Sequence, residues 1–269
     1  MAAALLTSNA AGLELAHPLR ELEAQGYARL GRILTGEATV KLRAAAEDLL
    51  LGRCRYPEMF FQLDAPTGRY GDVVFDTGYV GPRLDYRKVE KLELEPRFRA
   101  LIENPLFARI AHARIGPEVS IYRAVLWVKS AGGGTELPWH QDGGRFWGLD
   151  RDPTTQVWVA LDDAPVEAGC VEVLPGSHRR GLETPFGGQL SAAALDREQA
   201  NARALPLPCE AGEALLLHNF TWHRSGLNRS GVIRRAVGIC FMDAATRCTR
   251  KKRAPRQFVR VFEAAARPG

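Results

Sequence analysis

Cysteine is scarce in this chain and poorly spaced for chemistry of its own. Five are present, at positions 54, 170, 209, 240 and 248, and no two form a Cys-x-x-Cys pair. That excludes a zinc ribbon or a dithiol redox motif, and an odd count leaves one thiol over in any disulfide framework. Reduced, mostly packed thiols in a cytoplasmic protein are the expectation. No apolar run approaches the roughly 20 residues needed to cross a bilayer. The opening MAAALLTSNAAGLELAHPLR lacks the basic leader and the sustained apolar stretch of a signal peptide. No internal repeat is visible, and no linker rich in Pro, Gly or Ser divides the 269 residues, so one domain over 1–269 is expected. Acids are missing from residues 247–260, where seven Lys and Arg stand. The net charge of +5 belongs to that segment: setting the seven aside leaves 29 basic residues against 31 acidic ones. The body is thus not built to bind a polyanion, and neither nucleic acid nor membrane is an expected partner.

What is present divides into two halves. Residues 13–51 carry Leu15, Leu19, Leu22, Leu42, Ala45, Leu49 and Leu50 at helical spacings, interrupted by GYARLGRIL, which suits a short strand or turn. Between Tyr56 and Tyr86, seven glycines and prolines break any long regular element, and an ordered loop of that length is usually functional. PRFRALIENPLFARIAHARIG predicts one or two helices ending near Gly116. Short β-type runs follow: VSIYRAVLWVK, TQVWVALDD, CVEVLPG, EALLLHN and VIRRAVGICFM. Helices first and strands afterwards suggest a sandwich or open barrel with a helical layer outside. The expected division is a helical part over 1–116 with a lid-like loop at 56–86, a β core over 117–245 and a basic segment over 246–269.

Among six histidines the informative one is His140, because His140-Gln141-Asp142 places an imidazole and a carboxylate on the same side of an extended chain. A histidine from a distant strand would complete a two-His, one-carboxylate set with one face of a metal left open, the pattern of non-haem Fe(II) oxygenases. Two candidates lie in LLLHNFTWHRSG, His218 and His223. His218 ends an apolar strand, where a buried, hydrogen-bonded histidine is equally at home.

The stretches PWHQDGG, QVWVALDDAPVEAGCVEVLPGSHRRG and GEALLLHNFTWHRSGLNRSGVIRRAVGICFM occur in that order. Together they resemble the phytanoyl-CoA dioxygenase family of Fe(II)- and 2-oxoglutarate-dependent oxygenases. The resemblance covers 86–245 and, more loosely, the N-terminal helices. It implies an α+β, mainly β chain: a double-stranded β-helix core, jelly-roll and cupin-like, with the N-terminal helices packed outside. His140, Asp142 and His223 are implied as the catalytic iron ligands, His223 because it opens the family's H-x-S-G-x-N. Fe(II), 2-oxoglutarate and O2 are the implied cofactors, with ascorbate as reductant in vitro. The family's arginine for 2-oxoglutarate lies eleven residues after the distal histidine, at Arg234. Alternation agrees, since it sets Arg234 on the face of Ala236, Gly238 and Cys240, and Arg235 on that of Val237, Ile239 and Phe241. Ser225 resembles the family's hydroxyl partner for the same carboxylate, and Trp158 an indole lining that pocket, with an ordinary core aromatic as the alternative. Gln156 shares its face. Lys88 fits a family lysine near the cosubstrate, with Lys91 as competitor, and His178 matches a structural turn histidine.

Related halogenases lack the carboxylate at the place of Asp142, so its presence implies hydroxylation, cyclisation or desaturation. The 56–86 loop carries Gln62, Asp64, Asp76 and further acids among aromatics, which suits a polar, sugar-containing or cationic molecule if these groups face the site and are not simply solvated. Trp127, Arg145, Phe146 and Trp147 are further substrate candidates. The expectation is tailoring of a small natural product, as in antibiotic biosynthesis, by a protein able to form a homodimer. The alternatives are an acyl-CoA or lipid hydroxylase, an oxygenase modifying a macromolecule through its basic segment, and an inactive metal-binding module.

Overall fold

The structure is a computed structural model, and residues 5–75, 77–251 and 256–263 are described. In chain order the helices are α1 (Ser8–Ala11), α2 (Ala16–Gln25), α3 (Gly36–Leu50), α4 (Pro96–Ile102), α5 (Pro105–Arg114) and α6 (Ala192–Arg197). The strands are β1 (Tyr27–Arg32), β2 (Phe60–Leu63), β3 (Tyr86–Glu90), β4 (Val119–Lys129), β5 (Leu137–Gln141), β6 (Thr155–Ala160) and β7 (Val171–Val173). They continue as β8 (Gly188–Gln189), β9 (Leu205–Leu207), β10 (Glu213–Leu217), β11 (His223–Ser225), β12 (Arg234–Asp243) and β13 (Val259–Phe262).

Local chemistry sets the helix limits. The Thr35 hydroxyl accepts the Ala38 N–H and starts α3, whose Leu42, Ala45, Ala46, Leu49 and Leu50 follow at three- and four-residue steps and are fully buried. Glu95 and Asn104 cap α4 and α5, each followed by a proline at the first helical position. A residue before proline is driven to extended backbone, so α4 cannot run on into α5.

Two antiparallel sheets face each other. The larger runs β1-β10-β6-β12-β4-β3-β2, with β13 also paired to β4; the smaller runs β8-β5-β11-β7-β9. Alternation gives the large sheet two different faces. Ile121, Leu126, Val157, Val159, Val237, Ile239 and Phe241 point outward and pack under α3, α4 and α5 with Leu42, Phe98, Phe107 and Ile110. Each such side chain removed from water contributes about 1.5–3 kcal/mol. The inner face meets the small sheet around a cavity.

The β core draws on more of the chain than 117–245. β1, β2 and β3 come from the part expected to be helical, and β13 from the basic segment. The 56–86 stretch is not all loop either, because β2 pairs with β3, and Phe61, Tyr79 and Tyr86 pack ring to ring at 5.1–5.7 Å. The basic segment is tied down as well. Arg250 donates to Phe146 O, Arg256 lies over the Tyr122 ring, and Arg260 pairs with Glu118 at 2.6 Å.

Candidate metal centre and its cavity

Antiparallel pairing of β11 with β5 sets His223 opposite His140 and brings their ring centroids to 4.0 Å. Asp142, just past the end of β5, completes the group: ligand atoms of the three lie within 4.8 Å of one another, and His223 Nε2 is 3.7 Å from Asp142 Oδ2. Gln141 between them turns the other way and bonds to Gly181 O, Phe220 O and the Glu183 N–H, which anchors the strand end.

Both imidazoles are oriented by backbone. His140 Nδ1–H donates to Pro138 O and His223 Nδ1–H to Thr221 O, each at 2.8 Å. A carbonyl can only accept, so in the neutral rings Nε2 is left with a free lone pair. Asp142 Oδ1 accepts from Arg123 at 3.1 Å and Oδ2 from Gln156 Nε2 at 3.0 Å. Burial works to raise the Asp142 carboxyl, but the charges of Arg123, His223 and His140 together hold it below its usual range. Burial, and then the charge of His223, push His140 down to about 3. An ionised carboxylate beside an unprotonated His140 suits a divalent metal.

The cavity containing these three residues is also lined by Arg234, Ser225, Trp158, Gln156 and Trp127. Arg234 is buried, donates one N–H to Gly169 O at 2.9 Å, and has an Nε–H with no partner. Burial lowers it to about 10, which leaves it charged at neutral pH. Gly238, also on the cavity wall, makes room for Trp127, since a Cβ there would stand 2.8 Å from Trp127 Nε1. Arg235 faces away and pairs with Asp162 at 2.7 Å.

Other candidate residues lie elsewhere. Lys88 does not line this cavity and pairs with Glu90 at 2.8 Å. Gln62 accepts a bond from Arg87, and Asp64 accepts from Thr135 at 2.8 Å and borders a separate surface groove. Arg145 and Phe146 are exposed, and Trp147 stacks on Tyr122 at 4.2 Å. Asp76 lies outside the described residues. His218 is paired with His178, ring centroids 5.0 Å apart, away from the centre. Four cavity cations were missed: Arg87, Arg123, Lys129 and Arg224. Two of them had a signal, because Arg123, Trp127 and Lys129 share one face of β4 by alternation.

A jelly roll with two histidines and a carboxylate on its inner face is the architecture of the non-haem iron, 2-oxoglutarate-dependent oxygenases. The sequence matches the phytanoyl-CoA dioxygenase (PhyH) family over residues 22–236, and the chain belongs to that family. A zebrafish (Danio rerio) phytanoyl-CoA dioxygenase domain-containing protein 1 is 31% identical over 159 residues, which cover 52% of this chain and 54% of the relative. The chain thus spans about half the length of the curated relatives it matches. Among solved structures, the α-ketoglutarate-dependent carbocyclase SnoK from nogalamycin biosynthesis superposes with TM-score 0.70 at 24% identity, covering 94% of this chain and 98% of that one. EctD from S. alaskensis, solved with 2-oxoglutarate and 5-hydroxyectoine, gives 0.73 at 21%, with 93% and 85% covered. At these identities the likeness is one of fold. No helix among the described residues is long and apolar enough to cross a membrane.

Proposed function

We propose that this protein is an Fe(II)- and 2-oxoglutarate-dependent oxygenase that hydroxylates, cyclises or desaturates a small polar natural product. The observation behind this reading is that one buried cavity combines the His140, Asp142, His223 ligand set with a guanidinium, Arg234, whose Nε–H lacks an acceptor. The donor set fits a divalent iron: two neutral nitrogens and one carboxylate leave room for further ligands. A free guanidinium N–H fits the distal carboxylate of a dicarboxylate cosubstrate.

In this reading His140, Asp142 and His223 hold the metal, and Arg234 with the Ser225 hydroxyl holds the distal carboxylate against the Trp158 wall. Arg123 and Gln156 occupy one oxygen each of Asp142 and so keep that carboxylate aimed. Iron, 2-oxoglutarate and O2, when bound, would supply the oxidising power to remove hydrogen from an unactivated carbon; the protein supplies ligation and orientation. The neighbouring folds SnoK and EctD, the one a carbocyclase and the other solved with 5-hydroxyectoine, support a small molecule as substrate.

The test is 2-oxoglutarate turnover with Fe(II), read as succinate, across a panel of small polar metabolites, with product mass recorded. Gain of one oxygen atom indicates hydroxylation, and loss of two hydrogens desaturation or ring closure. No succinate under any condition, with iron bound, would sink the reading.

A further inference from the structure

We infer that Arg87 recognises an anionic group, a carboxylate or phosphate, on the substrate. This rests on the function proposed above and narrows it. Asp142 is the single carboxylate among the described residues lining the cavity, and Arg123 is already paired with it; Arg224, also lining, is paired with Glu172 at 2.9 Å. That leaves Arg87, Lys129 and Arg234. Among the described residues none of the three has a carboxylate within 4.0 Å, and all three are at most 5% exposed. Three buried cations in one cavity are unfavourable unless anions arrive to compensate them.

The cosubstrate accounts for Arg234. Lys129 donates to Thr135 O at 2.7 Å, and burial, followed by the charge of Arg234, holds its ammonium well below the usual lysine range. Arg87 keeps its charge, as arginines do. It is held in place by a bond to Gln62 Oε1 and by the rings of Tyr70 and Trp127, 5.2 and 5.8 Å from its guanidinium. Gln62 is fully buried and its Nε2–H donors have no partner, so further donor capacity lies beside the guanidinium. Asp64 and Glu90 act on Arg87 only from a distance.

The described acids of the 56–86 loop, which made a cationic substrate attractive, are engaged elsewhere. Asp72 is bonded to Thr67 and Arg69, Asp85 to Arg83, and Asp64 to Thr135. The sign presented to the substrate is therefore that of the cavity wall, which is positive.

The experiment uses the full chain loaded with Mn(II), which does not turn over, and saturating 2-oxoglutarate. Tryptophan fluorescence is followed while benzoate or its uncharged isostere benzamide is added. Wild type should bind benzoate at least about tenfold more tightly, the magnitude of one charge-assisted hydrogen bond. Arg87→Gln should erase that preference, with 2-oxoglutarate affinity unchanged within about twofold, and Arg87→Lys should restore part of it. Absence of an anion preference in wild type overturns the inference, and so does an Arg87→Gln protein that loses 2-oxoglutarate instead. Failure of wild type to bind 2-oxoglutarate at all would instead count against the oxygenase reading.

Discussion

The molecule contains two pairs of facing histidines, and only one is fit to hold a metal. His140 and His223 approach to 4.0 Å, His178 and His218 to 5.0 Å. The difference lies in what the nitrogens are bonded to. His223 gives its Nδ1–H to a backbone carbonyl and keeps Nε2 free, whereas His218 Nδ1 accepts the Phe220 N–H at 3.1 Å and so uses its lone pair inside the protein. His178 gives its Nε2–H to Glu23 O in the last turn of α2, and its partnerless Nδ1 is packed against Gly26, where no ion has room. A carboxylate joins the first pair, and none joins the second among the described residues. The second pair closes over Gly26, in left-handed backbone at φ +82°, where a Cβ would stand 2.2 Å from Thr221 Oγ1. It is a clasp between helix end and strand end. Arg234 and Arg235 repeat the lesson, one guanidinium lining the cavity with an unpartnered N–H and the other paired with Asp162.

The largest effect should separate the histidine pairs. His223→Ala is expected to abolish metal binding and turnover, while His218→Ala retains metal by calorimetry; the reverse pattern would dissolve the distinction. Next come the arginines. Arg234→Ala should weaken 2-oxoglutarate binding by about 100-fold, the loss of a buried charged contact, against about threefold or less for Arg235→Ala, and equal losses would refute the assignment by strand face. Arg123→Met sharpens the first pair from outside: an orienting partner of a ligand is worth about tenfold in metal affinity, and an unchanged metal Kd would mean that Asp142 needs no such support.

The smallest effect concerns pH. Burial, then the charge of His178, lowers His218 to about 4 from 6.5. As pH falls below 6.5 the unfolded chain takes up a proton that the folded one refuses, so stability is full above that value and declines toward pH 4, by about 3 kcal/mol at most. His218→Asn should flatten this part of the curve in urea unfolding of the metal-free protein at pH 7 and 5. A slope equal to that of wild type would show that His218 is not the group responsible.

Much of this was legible in the residues. The spacing of His140 and Asp142 and the alternation around Arg234 lead to the cavity, because a strand's period of two is rigid where both faces are packed; His223 was singled out from His218 by the family resemblance alone. Arg87 was hidden because the period fails there. Opposite β3, Gln62 pairs with Lys88 and Leu63 with Tyr86, so Arg87 is an extra residue in the ladder, and such a bulge re-aims side chains. The family resemblance pointed to its neighbour Lys88 instead. The described loop acids were illegible for another reason: a loop's charges can satisfy one another, as Asp72 and Asp85 do with Arg69 and Arg83, and sequence does not say which do.

β13 has a consequence for association. β4 has β12 along one edge; on the other, β3 pairs only with Val125–Trp127, and β13 fills in at Val119–Ile121. Without β13, backbone groups near the start of the longest strand would stand open as a template for another chain's strand. The basic segment, seen from that edge, works as a selvedge, binding off the sheet so that it does not extend from one molecule into the next.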